Sequence, residues 1–157
     1  MIGHNHIGKN GRFGNQMFQY AATRGIAAAR GYQFAIPDGP KSDAEFHDEE
    51  NQHKLFMAFK MSGTLSVYDL NAPYKQEGSF RFDQDIFDNC PDEVNLYGYF
   101  QSERYFKHIE EEIREDFTFK PEVQKLCKDI WKEIVTDEGH TEAIGLHVRR
   151  TDHLIKP

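Results

Sequence analysis

Glycine recurs at every third position of one short segment near the start of the chain, at Gly8, Gly11 and Gly14. This spacing permits positive φ angles and a close approach to the backbone. Apolar residues then recur at helical spacing over residues 17–29, and Gly31 follows as the expected end of that helix. The segment therefore predicts a tight turn that leads into an amphipathic helix.

Strand-like segments flank this turn and helix. Tyr32, Phe34 and Ile36 alternate as in a strand, and Pro37 closes it. The strand before the turn is weaker, because residues 4–6 read His-Asn-His. We interpret this polar run as a solvated strand or turn and predict no metal, since two ligands are too few for a structural zinc site. The pattern as a whole predicts a βαβ unit.

The remainder of the chain also alternates between strand and helix patterns. Residues 37–79 are mostly loop, with one apolar stretch at residues 55–59 that fits either a helix or a buried strand. A strand is predicted from Val94 to Phe100, with Ser102 as the N-cap of the helix that follows it. That helix carries four apolar residues on one face: Phe106, Ile109, Ile113 and Phe117.

Two further elements are predicted near the end of the sequence. Pro121 opens a second amphipathic helix, which Gly139 ends, and residues 143–148 form a buried strand. Strands that alternate with helices indicate an α/β fold with a largely parallel sheet, in which ligands bind at the carboxyl ends of strands.

Composition excludes several classes of function. The chain has 157 residues and a formal net charge of −7, which argues against broad attraction to nucleic acid or to an anionic membrane surface. No apolar run reaches the length of a membrane span, so a cytoplasmic protein is expected. Cys90 and Cys127 stand apart, which predicts reduced, structural cysteines rather than a disulfide framework.

The first motif with chemical meaning is Gly-Arg-Phe-Gly-Asn-Gln at residues 11–16. A glycine turn before a helix N-terminus presents backbone N–H groups and a positive dipole end, which suits a phosphate or a polar sugar edge. The sequence is neither a P-loop nor a GxGxxG fingerprint. The alternative is a purely structural turn in which Asn15 caps the helix.

The second motif is His-Val-Arg-Arg-Thr-Asp at residues 147–152. Arg149 and Arg150 follow a predicted buried strand and point to opposite sides, so one can bind phosphate while the other pairs with a carboxylate. His147 and Asp152 flank that contact. The alternative is an arginine pair on the surface of an acidic protein. An H-x-R-R-x-D match arises by chance in a chain of this length on the order of one time in a thousand.

Together these segments resemble a known family. Residues 11–21 resemble the opening motif of the alpha-1,2-fucosyltransferases (glycosyltransferase family 11), residues 147–152 resemble its H-x-R-R-x-D motif, and residues 98–106 resemble a segment between them. The resemblance implies the Rossmann-like N-terminal part of a GT-B-type enzyme that uses GDP-fucose, inverts the anomeric centre and needs neither a divalent metal nor another cofactor.

The resemblance also implies roles for individual residues. Arg149 matches the residue that stabilises charge on the β-phosphate, and with His147 and Asn15 it forms the expected catalytic set. Donor and substrate binding is expected from the glycine-turn and arginine-motif residues: Gly11, Arg12, Gly14, Asn15, His147, Arg149, Arg150 and Asp152. The residues do not identify a general base.

The resemblance also implies the domain organisation: residues 1–140 form the Rossmann-like acceptor-side domain, and residues 141–157 begin a truncated GDP-fucose-binding domain. A C-terminal half is therefore expected to be missing. We expect fucose transfer by the 157 residues alone to be impaired. The expected partners are GDP-fucose and a glycan with terminal galactose, reached in the cytoplasm or peripherally at a membrane that carries it. Two alternatives stay open: a non-catalytic glycan-binding or partner-dependent remnant, and a protein O-fucosyltransferase.

Overall fold

The computed structural model describes residues 1–8, 11–37, 55–61, 73–136 and 144–146. The chain divides into two compact units, Met1–Lys120 and Pro121–Pro157. The first unit contains a sheet and four helices among its described residues, and the second contains one described helix.

A four-stranded parallel sheet forms the centre of the first unit. Its strands are β1 (Ile2–Gly3), β2 (Phe34–Ala35), β3 (Tyr74–Gln76) and β4 (Val94–Tyr97), in the spatial order β2-β1-β4-β3. Ile2 lies opposite Phe34 on one side and Val94 on the other. All pairings between these strands are parallel, which confirms the predicted α/β class with a largely parallel sheet.

Helix α1 (Phe13–Arg30) connects β1 to β2 and completes the predicted βαβ unit. It ends where expected: Gly31 adopts the left-handed conformation with φ 67°, and its N–H bonds to the carbonyl groups of Ala27 and Ala28. A second βαβ unit places α3 (Gln84–Asn89) between β3 and β4, with Asp83 capping the helix by accepting from the Ile86 N–H at 3.0 Å.

Apolar residues of the sheet and of α1 form two core clusters. One cluster joins the sheet to α1 and α3 through Ile2, Leu96, Ile26 and Ile86. The other packs the opposite part of α1 against α2 (Leu55–Ala58) and α4 (Glu110–Asp116), through Tyr20, Leu55, Phe59 and Ile113. The apolar stretch at residues 55–59 is therefore mainly helical, and it contributes to the second core cluster.

The single helix predicted after Ser102 is divided into three pieces. Two short 3-10 turns, Glu103–Tyr105 and Lys107–Ile109, precede α4. Ser102 does cap the first turn, as predicted. The backbone leaves helical geometry at Phe106, where φ is −135°, because Tyr105 and Phe106 pack their backbone directly against Gly25 of α1. Tertiary packing here overrides helical periodicity.

The second unit contains α5 (Pro121–Thr136), the helix predicted to begin at Pro121. Its apolar residues Leu126, Ile130, Trp131 and Ile134 are largely exposed. Residues 144–146 are irregular, and both Ile144 and Leu146 are exposed, so the buried strand predicted for residues 143–148 does not form across these three positions. A strand needs a neighbour for its hydrogen bonds, and no described strand pairs with this segment.

The cysteines correct one further expectation. Both thiols are free, as predicted, but only Cys90 is buried, within the core cluster between the sheet and α3, where burial raises the pKa of its thiol. Cys127 is exposed on α5 and has no structural role in the core.

Candidate functional site

The carboxyl ends of the four strands meet at one edge of the sheet, because all four run in the same direction. The residues that directly follow three of these strands are His4, Glu77 and Gly98. The glycine turn and the first turn of α1 follow β1 at the same edge. This is the edge at which parallel α/β sheets bind ligands, and we refer to it below as the carboxyl edge.

The two histidines after β1 differ in burial: His4 is buried, in contrast to the solvated run expected from sequence, whereas His6 is half-buried. His4 is fully buried, with its ring edge-on to Phe100 at a centroid distance of 6.1 Å. His6 stands edge-on to Tyr97 at 5.0 Å. His4 and His6 are polar in sequence but lie against aromatic residues around the end of β4, and they therefore form part of the carboxyl edge.

The loop after β4 has an unusual backbone. Gly98 adopts φ 152°, and Phe100 adopts φ 52°, a conformation that non-glycine residues rarely occupy. Glu77 holds this loop, because its Oε2 accepts hydrogen bonds from the backbone N–H groups of Tyr99 at 2.9 Å and Phe100 at 3.0 Å. Strained backbone persists only where its surroundings impose it, and it is concentrated at functional sites.

The other oxygen of the same carboxylate, Glu77 Oε1, is buried and accepts no hydrogen bond from the described residues. Burying a polar oxygen without a partner is costly, and the two backbone hydrogen bonds accepted by Oε2 offset that cost. Glu77 is thus fixed on one side by the loop that follows β4.

Two side-chain amides of α1 complete the attachment of this loop. Gln19 Nε2 donates to the carbonyl oxygen of Gly98 at 3.0 Å, and Asn15 Oδ1 accepts from Gln101 Nε2 at 2.6 Å. The alternative interpretation of the first motif, in which Asn15 caps the helix, is therefore wrong. The N-cap is Arg12, and Asn15 lies within the first turn.

Asn15 also explains the glycine at position 11. Gly11 adopts φ 85°, and a Cβ atom built there would lie 2.7 Å from Asn15 Cβ and 2.9 Å from Asn15 Cγ. Any side chain at this position would displace Asn15 from Gln101. The first glycine of the motif is thus required by the fold.

Gly14 differs from Gly11. It lies in the first turn of α1, it is exposed, and a Cβ atom built there would meet no other atom within 4 Å. A helix favours alanine over glycine at such a position. The described residues therefore give no steric reason for glycine here, although the open space would let a ligand approach the backbone.

The start of α1 is electrostatically suited to a polar or anionic ligand. The helix has no side-chain cap and no acidic residue in its first turn, and the exposed Arg12 adds a positive charge at the N-cap. The first N–H groups of a helix carry the positive end of its dipole. A phosphate oxygen or a sugar hydroxyl would be stabilised here.

The buried carboxylate of Asp116 anchors α1 behind this site. Tyr20 OH donates to Asp116 Oδ2 at 2.6 Å, and Arg24 forms an ion pair with the same carboxylate. Burial raises the pKa of Tyr20 to about 12, although the positive charge of Arg24 acts in the opposite direction. The contact ties α1 to the end of α4 and so fixes the helix that carries the glycine motif.

The structure brings four of the predicted site residues together, namely Gly11, Arg12, Gly14 and Asn15. The other four, His147, Arg149, Arg150 and Asp152, lie outside the described residues. Sequence reasoning missed Glu77, which lies in no motif. Gln101 lies within the segment at residues 98–106, but its position in the sequence alone indicates no role.

The described residues show neither a group of metal ligands nor a membrane-spanning helix. No three His, Cys, Asp or Glu side chains in these parts of the chain are grouped as metal ligands. Among the described helices, none has both the length and the apolar character required to cross a bilayer.

Comparison with known proteins gives a consistent result. The sequence profile of Glycosyl transferase family 11 matches residues 1–157. The chain is 28% identical over 153 residues to galactoside alpha-(1,2)-fucosyltransferase 1 of Sus scrofa, and 27% identical over 154 residues to the Homo sapiens protein of that name. Each alignment covers 92% of this chain but 38% of the relative. No solved structure matches significantly.

Proposed function

This chain belongs to Glycosyl transferase family 11, and on that premise we propose that it takes part in the transfer of L-fucose from GDP-fucose to the 2-hydroxyl of a galactoside. The chain spans 38% of the length of the curated relatives it matches. We therefore propose the activity for a protein of the relatives' full length. The fucosyltransferase relatives support the reaction class, and the carboxyl edge supports a polar ligand.

In the proposed reaction, the acceptor's 2-hydroxyl oxygen forms a bond to the anomeric carbon of fucose. The bond from that carbon to the β-phosphate oxygen breaks, GDP leaves with the electron pair, and the hydroxyl proton passes to a base. Inversion follows from a single displacement. Negative charge grows on the β-phosphate, and fixed cationic side chains that donate hydrogen bonds stabilise this charge in the transition state. In this proposal these side chains take the place of a divalent metal.

We assign that stabilisation to Arg149, with His147, Arg150 and Asp152 in donor binding and orientation. At the described part of the site, Arg12 and Asn15 approach the donor sugar or the acceptor hydroxyl. In this proposal the sheet described above is the acceptor-side domain of a GT-B-type enzyme, and residues 141–157 begin the domain that binds GDP-fucose.

The observation that carries the proposal is the open space at Gly14. The fold requires glycine at position 11 but gives no reason for it at position 14, where alanine would favour the helix. A ligand that approaches the uncapped start of α1 supplies such a reason. Gly14→Ala should therefore weaken ligand binding while the fold is retained or stabilised.

The test is a calorimetric titration of the folded chain with GDP, with UDP as the comparison nucleotide. We expect GDP to bind more tightly than UDP. Arg149→Ala should weaken GDP binding by at least about tenfold, because it removes a charge-assisted hydrogen bond to phosphate. Gly14→Ala should weaken binding of GDP-fucose more than binding of GDP, because the added methyl group occupies space next to the residues assigned to the sugar.

Arg114→Ala is the matched control. Arg114 is exposed and forms an ion pair with Glu110 within α4. Its replacement by alanine changes the net charge as much as Arg149→Ala does, but it removes only an exposed ion pair. GDP affinity should be unchanged in this variant. A folded chain that does not distinguish GDP from UDP, or that binds GDP equally well after Arg149→Ala, would contradict the proposed donor contact.

A further inference from the structure

Two aromatic rings lie stacked and accessible next to the candidate site. Phe80 is 71% exposed, although it is a large apolar side chain. Its ring stacks on Tyr99 with a centroid distance of 5.9 Å and an interplanar angle of 20°. The fold therefore keeps a pair of nearly parallel aromatic rings in contact with solvent rather than within either core cluster.

This aromatic pair is continuous with the carboxyl edge. Phe80 lies three residues after Glu77, which follows β3, and Tyr99 lies two residues after the end of β4. The backbone N–H of Tyr99 is held by Glu77 Oε2, and Gln101, two residues further on, bonds to Asn15. The aromatic pair and the glycine turn are thus joined through one strained loop.

The chemistry of this surface selects the kind of ligand that fits it. An aromatic face carries negative partial charge and attracts polarised C–H bonds. In a β-galactoside the axial 4-hydroxyl leaves the C–H bonds at C3, C4 and C5 on one side of the ring, so that side is apolar. Because Phe80 stacks on Tyr99 and is itself exposed, the outer face of the Phe80 ring is open to solvent, and one such face is about as wide as one pyranose.

We propose that Phe80 and Tyr99 form the stacking surface for the galactose ring of the acceptor. The identity of the sugar rests on the proposed function, whereas the surface itself rests on the exposed aromatic pair. Glu77 is a positioning residue in this arrangement, because its carboxylate accepts a hydrogen bond from the backbone N–H of Tyr99.

The test uses the full 157-residue chain and methyl β-D-galactopyranoside, with saturation-transfer NMR as the readout. We expect the strongest transfer to the sugar protons H3, H4 and H5, which face the rings. Methyl β-D-glucopyranoside should receive less, because its C–H bonds alternate between the two sides of the ring. Phe80→Leu should lower galactoside affinity about three- to tenfold, since it keeps an apolar side chain but removes the aromatic face.

Phe80→Tyr is the matched control, since it retains the ring at an exposed position and should bind the galactoside as the unaltered chain does. Equal affinity in Phe80→Leu, or no saturation of the galactoside by the folded chain, would overturn the proposal. The GDP titration separates this result from the proposed function. A failed aromatic surface leaves GDP binding intact, whereas a failed donor contact leaves ring-dependent galactoside binding intact.

Discussion

Gln101 Nε2 donates a hydrogen bond to Asn15 Oδ1 across 2.6 Å, which joins the loop after β4 to the first turn of α1. The two residues are 86 positions apart in the sequence and belong to two different segments that carry the family resemblance. Asn15 is in turn packed over Gly11. The contact therefore links the glycine turn to the segment at residues 98–106.

This contact predicts energetic coupling between the two side chains. In a double-mutant cycle of Asn15→Ala and Gln101→Ala, we expect a coupling energy of about 0.5 to 1.5 kcal/mol, the usual net value of a hydrogen bond. The free energy of unfolding in urea provides the measurement. The control is a second cycle that combines Asn15→Ala with Asn89→Ala. Asn89 bonds to Asp85 and not to Asn15, so the coupling energy should be near zero. Additive effects at Asn15 and Gln101 would show that the contact is not maintained in solution.

Two glycines of α1 should respond in opposite directions to alanine. Gly25→Ala should destabilise the fold by about 1 to 3 kcal/mol, because the new Cβ would lie 2.8 Å from Phe106 Cα and against the carbonyl oxygen of Tyr105. Gly14→Ala should stabilise it by about 0.5 to 1 kcal/mol through helix propensity alone. Urea unfolding of both variants measures the difference, and a loss of stability in Gly14→Ala would reveal a structural role for that glycine.

Stability at high pH should depend on Tyr20. Burial raises the pKa of Tyr20 to about 12, whereas tyrosine in the unfolded chain has a pKa of about 10. Between these values the folded state keeps the hydroxyl proton of Tyr20 and the unfolded chain has lost it. The stabilising contribution is complete below pH 10 and is lost as the pH rises toward 12. We expect a loss of about 2 to 3 kcal/mol over this range.

The Tyr20→Phe variant isolates this effect, because it removes the titrating hydroxyl group and keeps the ring. It should be less stable than the unaltered chain below pH 10, since Asp116 loses a hydrogen bond, and the difference should shrink between pH 10 and 12. Unfolding by urea at a series of pH values provides both curves. A difference that stays constant over this range would mean that Tyr20 is not protected from solvent.

Glu77 should act through its acceptor oxygen rather than through its charge. Glu77→Ala removes the partner of two backbone N–H groups and should destabilise the fold by about 2 to 4 kcal/mol. Glu77→Gln keeps an acceptor oxygen at this place and should retain most of that stability. Hydrogen exchange at the Tyr99 and Phe100 amides gives a local readout, with faster exchange expected only in Glu77→Ala. Equal losses in both variants would show that the charge itself is required.

Local patterns in the sequence predict much of this fold. The glycine turn, the helix that follows it and the stop at Gly31 each depend on the backbone freedom of glycine and on apolar spacing, so they can be read from neighbouring residues. The same holds for Ser102 as a cap and Pro121 as a helix start. These features need no knowledge of distant contacts.

Several features that the sequence did not predict depend on distant contacts. His4 looks solvated until Phe100 is placed beside it, and Asn15 looks like a cap until Gln101 reaches it. The divided helix after Ser102 results from backbone contact with Gly25, about 80 positions earlier in the sequence. No periodicity in a single chain encodes such contacts.

The position of β1 in the sheet has a consequence for how the protein is made. β1 lies between β2 and β4, and its pairing with Val94 joins residues that leave the ribosome far apart in time. At typical rates of synthesis, about 5 to 20 residues per second, the first strand waits several seconds before its second neighbour is available. During that interval the nascent chain exposes the edge of β1 that β4 will later cover, and an exposed strand edge can pair with other chains.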